Sequence, residues 1–504
     1  MTEVWSIDAR TGEKVERVGT QATAEEVDAA VRATAAAGPA LVDAGLAGRA
    51  TLLRAMADAI DAEGDAIVAA ADRESALGAT RLRGELARTT YQLRLFGEVL
   101  DDGGYLEITI DHPDPNAIPA PRPDLRRMLL PVGPVAVFSA SNFPLAFSVA
   151  GGDTASAIAA GCPVVVKAHS GHPYTSELVA AAVRRAAAAT GFPEDVLTLI
   201  HGREAGTELV RHPFIKAAGF TGSLWGGRAL FDLACARPDP IPFYGELGSI
   251  NPLVVTPPAA AERAEAIATG LAGSFTLGVG QFCTKPGLVF VPASEDGERL
   301  IAALGGAAAG IPGGAMLTPS IHKAFVEGAA ARVAHSGVRA VLSKDGEVSP
   351  HVLVAPASAL DDLLVEECFG PLVMVIQYAT EDELLAALGK VPGSLTATVH
   401  SGADEGKPGS LADRVATRLR ESAGRIVWNG FPTGVAVTWA QHHGGPWPAT
   451  TFSAHTSVGT TAIRRFLRPV SYQDAPAGLL PPELAEDNPL GLPRRVDGRL
   501  EVRG

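Results

Sequence analysis

Residues 132–168, VGPVAVFSASNFPLAFSVAGGDTASAIAAGCPVVVKA, decide how this chain folds. Residues 135–139 are a short apolar strand, and residues 147–160 read as a helix stopped by Gly161. Residues 163–168 are continuous and β-branched, the mark of a strand buried on both faces. A strand, a helix and a strand in so short a span make a right-handed βαβ unit and demand a parallel sheet. The alternation continues with a helix over 174–190 capped by Gly191, strands over 196–200 and 214–220, and a helix over 224–236. Ligands of such sheets sit beyond the carboxyl ends of the strands. Here those ends hold Asn142, Lys167 and Thr221-Gly222-Ser223.

On the N-terminal side, Thr23 and Glu26 form a capping box that opens an Ala-rich helix to about residue 37. Further helices are expected over 49–71 and 80–100. Residues 111–124, DHPDPNAIPAPRPD, are an exposed connection or extended arm. On the C-terminal side a second alternation begins, with strands near Leu253 and over 288–291, 373–378 and 395–399 and helices over 260–277 and 382–388. It implies a second α/β domain. The Pro-rich, polar tail 469–504 reads as a subunit-contacting arm.

The chain has 504 residues, enough for roughly two to four domains. Hydrophobic residues make up 47% and charged residues 19%, a globular balance. A formal net charge of −14 argues against nucleic acid or an anionic membrane as the main partner. Residues 128–152 carry no charge and could span a bilayer by length, but Pro131, Pro134, Pro144 and Asn142 fit a strand, a polar turn and a helix start better. The opening MTEVWSIDARTGEKVE has no apolar core of a signal peptide. Cys162, Cys235, Cys283 and Cys368 contain no CxxC pair, so neither a zinc ribbon nor a disulfide framework is expected, but reduced thiols in a cytoplasmic protein.

Four short segments hold groups able to do chemistry. Cys283, in GQFCTKPG, lies on a turn from helix to strand; a thiolate there is a strong nucleophile, and a buried structural cysteine is the plainer reading. Glu246, in FYGELGS, is bracketed by glycines and can act as a general base for water, or be a solvated surface carboxylate. Asn142, in SASNFP, can donate to an oxyanion or cap the next helix through an Asx turn. Gly222 and Ser223 open a helix whose first N–H groups suit a pyrophosphate, and Lys167 can hold a ribose or phosphate or stand in solvent.

Together these segments resemble the aldehyde dehydrogenase superfamily from about Val4 to Asp474: Asn142-Phe143-Pro144, the strand-end Lys167, FTGS ending at Ser223, GELGS around Glu246, GQFC ending at Cys283, and EECFGP around Glu367. The stretches FSVAGGDTASAIAAGCPVVVKAHSGHP and HGGPWPATT are similar to the 2,5-dioxopentanoate (α-ketoglutarate semialdehyde) dehydrogenase branch, and also to an NADP-dependent fatty-aldehyde dehydrogenase. The resemblance implies an α/β fold with two Rossmann-like parallel-sheet domains and a small oligomerisation element. Residues 1–108 and 132–245 would bind NAD(P), 246–460 would be catalytic, and 109–131 with 461–504 would form the oligomerisation arm of a homodimer or homotetramer. It implies a Cys283 nucleophile, an oxyanion held by Asn142 and the Cys283 N–H, and a hydrolytic water activated by Glu246, with no metal. Lys167, His169, Ser170, Gly222, Ser223, Glu367 and Phe369 would contact the cofactor. A rival that passes the acyl group to coenzyme A usually lacks the base that Glu246 would supply. A non-catalytic structural protein would not need this set of residues.

Three departures from the family pattern matter. Ser170 stands where NAD-preferring relatives have Glu, and with Lys167, His169 and His172 nearby it favours NADP over NAD. Lys285, two residues past the cysteine, would lower its pKa or point away. In TFSAHT (451–456), Phe452 and Ala454 occupy positions where the branch carries Asp and Arg, which leaves His455 or Lys285 to anchor a substrate carboxylate, or points to a less polar aldehyde.

Overall fold

The strand Val135–Phe138 forms where the sequence predicts it, and the computed structural model, which describes residues 2–344 and 346–502, builds a five-stranded parallel sheet around it. The spatial order is Leu197–Ile200, Val164–Lys167, Val135–Phe138, Ala217–Thr221, Phe243–Glu246. Direction of winding reverses beside Val135–Phe138, which opens a crevice at the carboxyl ends there. Val164, Val165 and Val166 are fully buried, each contributing on the order of 1.5–3 kcal/mol of apolar transfer.

The first crossover differs from expectation. Its helix starts at Gly152, not at 147, and residues 141–151 wind through turns. The reason is local. The Leu145 and Ala146 N–H groups donate to Oε1 of the buried Glu85, at 2.8 and 3.0 Å, so they are satisfied without a helix. The helix expected over 49–71 is two helices, Gly45–Ala62 and Gly64–Ser75. The Thr23–Glu26 capping box is present, and its helix runs Ala24–Asp43. Gly191 has φ +82, as the residue after a helix C-cap requires.

A second sheet has seven strands in the order Arg339–Leu342, His351–Pro356, Leu372–Tyr378, Leu288–Pro292, Pro252–Val255, Ser394–His400, Ala423–Trp428. Only the edge pair formed by Arg339–Leu342 is antiparallel. The third sheet joins Leu467–Gln473, Leu125–Pro131, Ile108–Asp111, Arg494–Val496 and Arg499–Glu501, so the 111–124 connection and the C-terminal tail share one element. Among the described residues no helix is long and apolar enough to cross a membrane.

Candidate active site

Cys283 lies between the 3₁₀ turn Leu277–Gly280 and the strand Leu288–Pro292. Gly280 (φ +67) makes its position possible: a Cβ there would stand 2.3 Å from the Gly370 backbone, so the cysteine loop rests directly on the loop of Glu367. The fully buried Asn251 fixes the other side, its Nδ2 donating to the Cys283 and Lys285 carbonyls at 2.7 and 2.9 Å. All four cysteines are free; Cys162 and Cys368 are buried, and Cys235 is exposed at the end of its helix.

Glu246 is the last residue of Phe243–Glu246 and is buried, not a surface carboxylate. Its Oε1 meets His443 Nε2 at 2.9 Å, and its Oε2 accepts from Ser457 Oγ at 2.6 Å. The same His443 Nε2 stands 3.7 Å from Cys283 Sγ. Ligating atoms of Glu246, Cys283 and His443 thus lie within 4.8 Å of one another. His443 Nδ1 has no partner, so Nε2 is the ring nitrogen that serves both Glu246 and Cys283. Burial pushes the Glu246 carboxyl up, but the imidazole and the hydroxyl and thiol donors outweigh it and hold the group below its ordinary value. Burial, and then the Glu246 carboxylate, push the Cys283 thiol well above its own. The resting pair is therefore thiol beside carboxylate. His443 went unrecognised in the sequence reading; its signal was weak, a histidine before Gly444-Gly445-Pro446 with no periodicity to place it.

Asn142 does not cap a helix. Its Nδ2 donates to the Gln281 carbonyl at 3.0 Å, which holds the amide beside the cysteine loop. The Cys283 N–H makes no hydrogen bond within the chain among the described residues. Lys285 points away from Cys283: it is buried, and its Nζ donates to the Cys368 and Leu372 carbonyls at 2.9 and 2.8 Å. Burial brings its pKa down to about 8. Lys285 therefore does not anchor a substrate carboxylate. His455 packs its ring on Tyr244 and Phe452, and burial followed by the Arg465 and Arg464 charges lowers its pKa, so it is a neutral ring. Glu367 approaches Gly248 so closely that a Cβ there would lie 2.6 Å from its Oε2. Burial raises its pKa to about 7 against the pull of Lys285. Phe369 is half-buried on the same loop.

At the switch point of the first sheet lies a cleft of about 1300 Å³, whose wall includes Lys167, Ser170, Arg203, Thr221, Gly222 and Ser223. Ser223 caps the helix Leu224–Cys235, its Oγ accepting from the Gly226 N–H at 3.3 Å. Ser139 Oγ, on the cleft wall, is a buried hydroxyl without a partner. Burial, then the Arg203 charge, brings the Lys167 pKa down to about 8. His169 lines the cleft, but burial and the neighbouring His172 and Lys167 keep it neutral. His172 does not face the cleft: it is buried, with Nε2 2.8 Å from the Ala140 carbonyl. Arg203, missed in the sequence, takes its place as the second cation. A helix start, an orphaned hydroxyl and two cations on the cleft wall suit the phosphates of a dinucleotide.

A parallel-sheet nucleotide cleft beside a half-buried thiol and a buried imidazole and carboxylate defines a nucleotide-dependent enzyme with a thiol centre. The chain belongs to the aldehyde dehydrogenase family, whose model matches residues 2–457. It is 49% identical over 90% of its length to alpha-ketoglutaric semialdehyde dehydrogenase 2 of Azospirillum brasilense, covering 88% of that protein. It is 44% identical over 98% of its length to alpha-ketoglutaric semialdehyde dehydrogenase of Acinetobacter baylyi, covering 95% of that protein. The fold matches a mutant aldehyde dehydrogenase C of Pseudomonas syringae complexed with NAD⁺ and octanal, with a TM-score of 0.79 at 23% identity and 94% of each chain covered. The protein is an NAD(P)⁺-dependent aldehyde oxidoreductase.

Proposed function

We propose that the protein oxidises 2,5-dioxopentanoate to 2-oxoglutarate with NADP⁺, through a thioester on Cys283. The convergence of Cys283, His443 and Glu246 carries the chemistry, and the two semialdehyde dehydrogenases at 49% and 44% identity support the substrate. As the Cys283 sulfur bonds the aldehyde carbon, its proton passes to the Glu246–His443 pair. The Asn142 amide and the Cys283 N–H hold the developing oxyanion. Bound NAD(P)⁺ supplies the hydride acceptor that turns the adduct into a thioester. The pair releases the thiol proton to solvent, and the freed Glu246 carboxylate then takes a proton from water as that water attacks the thioester carbon and the Cys283 thiolate leaves, to be reprotonated by the pair. Lys167, His169, Ser170, Gly222 and Ser223 would hold the adenosine and pyrophosphate end, and Glu367 and Phe369 the nicotinamide end. The third sheet would pair subunits into a homodimer or homotetramer of a cytoplasmic enzyme.

The deciding measurement compares kcat/KM for 2,5-dioxopentanoate, succinate semialdehyde and a series of plain aliphatic aldehydes. A clear preference for 2,5-dioxopentanoate is expected. Preference for uncharged aldehydes would instead favour the reading that Phe452 and Ala454 suggest, a dehydrogenase of less polar or fatty aldehydes.

The NADP⁺ preference rests on Ser170, which is exposed on the cleft wall that Lys167 and Arg203 also line. A carboxylate there would repel a 2′-phosphate. Ser170→Glu is expected to cut kcat/KM for NADP⁺ by about 100-fold, on the scale of a like-charge contact costing several kcal/mol, and to change that for NAD⁺ far less. Equal losses with both cofactors would remove Ser170 from the 2′-phosphate site.

A further inference from the structure

Neither Lys285 nor His455 supplies a cation for the distal carboxylate of 2,5-dioxopentanoate, and Ala454 cannot. Two other arginines lie against the aromatic rings around the cysteine loop. Arg81 and Arg88 project from the helix Ala79–Asp102 onto the aromatic rings that follow Asn142. The Arg88 guanidinium carbon lies 5.3 Å from the Phe147 ring and 5.9 Å from the Phe143 ring. Phe147 in turn faces His443 at 6.5 Å between ring centres. Arg81 stacks on Phe143 and Phe282, at 5.2 and 4.7 Å, and its Nη2 donates to the Asn142 carbonyl at 2.6 Å. Arg81 is thereby tied into the cysteine loop's surroundings.

Arg88 is not tied. Its Nε and Nη2 are both buried and neither has a hydrogen-bond partner. These two N–H groups form one edge of the guanidinium fork, the edge that receives a carboxylate in bidentate fashion. The nearby carboxylate of Glu85 does not fill it: Glu85 Oε1 is committed to the Leu145 and Ala146 N–H groups, and Oε2 makes no hydrogen bond. A buried charged edge left open is costly, offset only in part by the two aromatic rings. The Arg88 charge bears on both Cys283 and Glu246. Arg425 also bears on Cys283, but its Nη1 and Nη2 are held by the Gly434 and Pro432 carbonyls at 3.1 and 2.5 Å, which leaves only its Nε free.

We propose that Arg88 is the residue that binds the distal carboxylate of an ω-oxo acid substrate, through its open Nε–Nη2 edge, with the aldehyde carbon delivered to Cys283. The aromatic rings beneath Arg88 fix the plane of the fork and exclude water from the pair, which strengthens it. The inference rests on the semialdehyde reading above and names the anchor that reading lacks. It also explains how Phe452 and Ala454 are compatible with an acidic substrate: the carboxylate is read from the helix Ala79–Asp102, not from the segment 451–456.

The test compares the wild-type enzyme with Arg88→Met and Arg88→Lys on 2,5-dioxopentanoate and on hexanal, and titrates each with 2-oxoglutarate by calorimetry. For Arg88→Met, KM for 2,5-dioxopentanoate is expected to rise about 100-fold, the usual scale for removing one partner of a desolvated charge pair. Hexanal kcat/KM should fall far less, by no more than about tenfold, the share that one pK unit at the Cys283 thiol would account for; 2-oxoglutarate binding should disappear, and Lys should recover part of the losses because it keeps the charge without the fork. Equal losses on the two aldehydes, or an unchanged KM for the acid, would overturn the assignment while leaving the semialdehyde reading intact. A wild-type enzyme that prefers hexanal would sink the semialdehyde reading instead. Calorimetry then judges Arg88 separately: 2-oxoglutarate bound by wild type and not by Arg88→Met supports the anchor, and no binding to wild type refutes it.

Discussion

Cys283→Ala is expected to abolish aldehyde-dependent cofactor reduction, with kcat lower by about 10⁴- to 10⁶-fold, the scale for removal of a covalent nucleophile. The protein should still fold and still bind NADP⁺, because the side chain holds nothing in place. The loop is fixed instead by Asn251 on the Cys283 and Lys285 carbonyls and by the contact of Gly280 with Gly370. The three other cysteines serve as controls. Cys162 lies wholly within the apolar core, and its thiol is pushed up to about 11 by burial. Cys368 is buried within the Glu367 loop itself, and Cys235 is exposed at the end of its helix. None of these substituted by alanine should lose more than a small part of kcat. Retained dehydrogenase activity in Cys283→Ala would refute the thioester route outright.

The parts of the fold legible in the sequence were those whose pattern is forced by burial on both faces. The strands 135–139 and 163–168 could be nothing else, and the crossover between them fixed the parallel sheet and the place of its cleft. The strand His351–Pro356 is just as buried, yet it follows a polar stretch with no helix pattern ahead of it, and so it escaped notice. Two helices, Glu295–Ala309 and Pro319–Val333, were hidden because alanine and glycine fill many of their positions and blur the apolar stripe. The start of the first crossover helix was misread for a different reason: Glu85, some sixty residues earlier, satisfies its amides, and no local signal reports a distant acceptor.

The same division runs through the site. Cys283, Glu246 and Asn142 stand in short glycine- or proline-marked segments, so their accessibility to chemistry could be argued from neighbours in sequence. His443, Arg88 and Arg203 act through what the fold brings near them. An arginine on a long helix is ordinarily a solvated face, and only the absence of partners on the buried Arg88 Nε and Nη2 marks it as unusual. Lys285 shows the opposite error. Its place two residues from the nucleophile suggested electrostatic help, but Cys283 and Thr284 lie in a turn before the strand begins at Leu288, and the Lys285 ammonium pins the Cys368 and Leu372 carbonyls instead.

Glu246→Gln separates the two duties assigned to that carboxylate, because they predict opposite signs. Without a base for the hydrolytic water, steady-state kcat is expected to fall about 10²- to 10⁴-fold, the contribution of a positioned general base. A burst of cofactor reduction of up to one equivalent per site should precede the slow phase, since thioester formation outruns its hydrolysis. Thiol reactivity should move the other way. Burial and then the Glu246 charge raise the Cys283 pKa. The amide keeps the shape and the contact with His443 but removes the charge, so the pKa falls toward its ordinary value. At a fixed pH below it, each unit of that fall increases the thiolate fraction about tenfold. Alkylation of Cys283 by iodoacetamide in the absence of substrate should therefore be faster in Glu246→Gln than in the wild type, and its rate should level off at a lower pH. Slower alkylation would mean that Glu246 is needed to take the thiol proton even from iodoacetamide's attacker, and that the carboxylate's service as a base outweighs its repulsion of the thiolate. A loss of kcat with no burst would move the essential role of Glu246 from hydrolysis to the formation of the thioester.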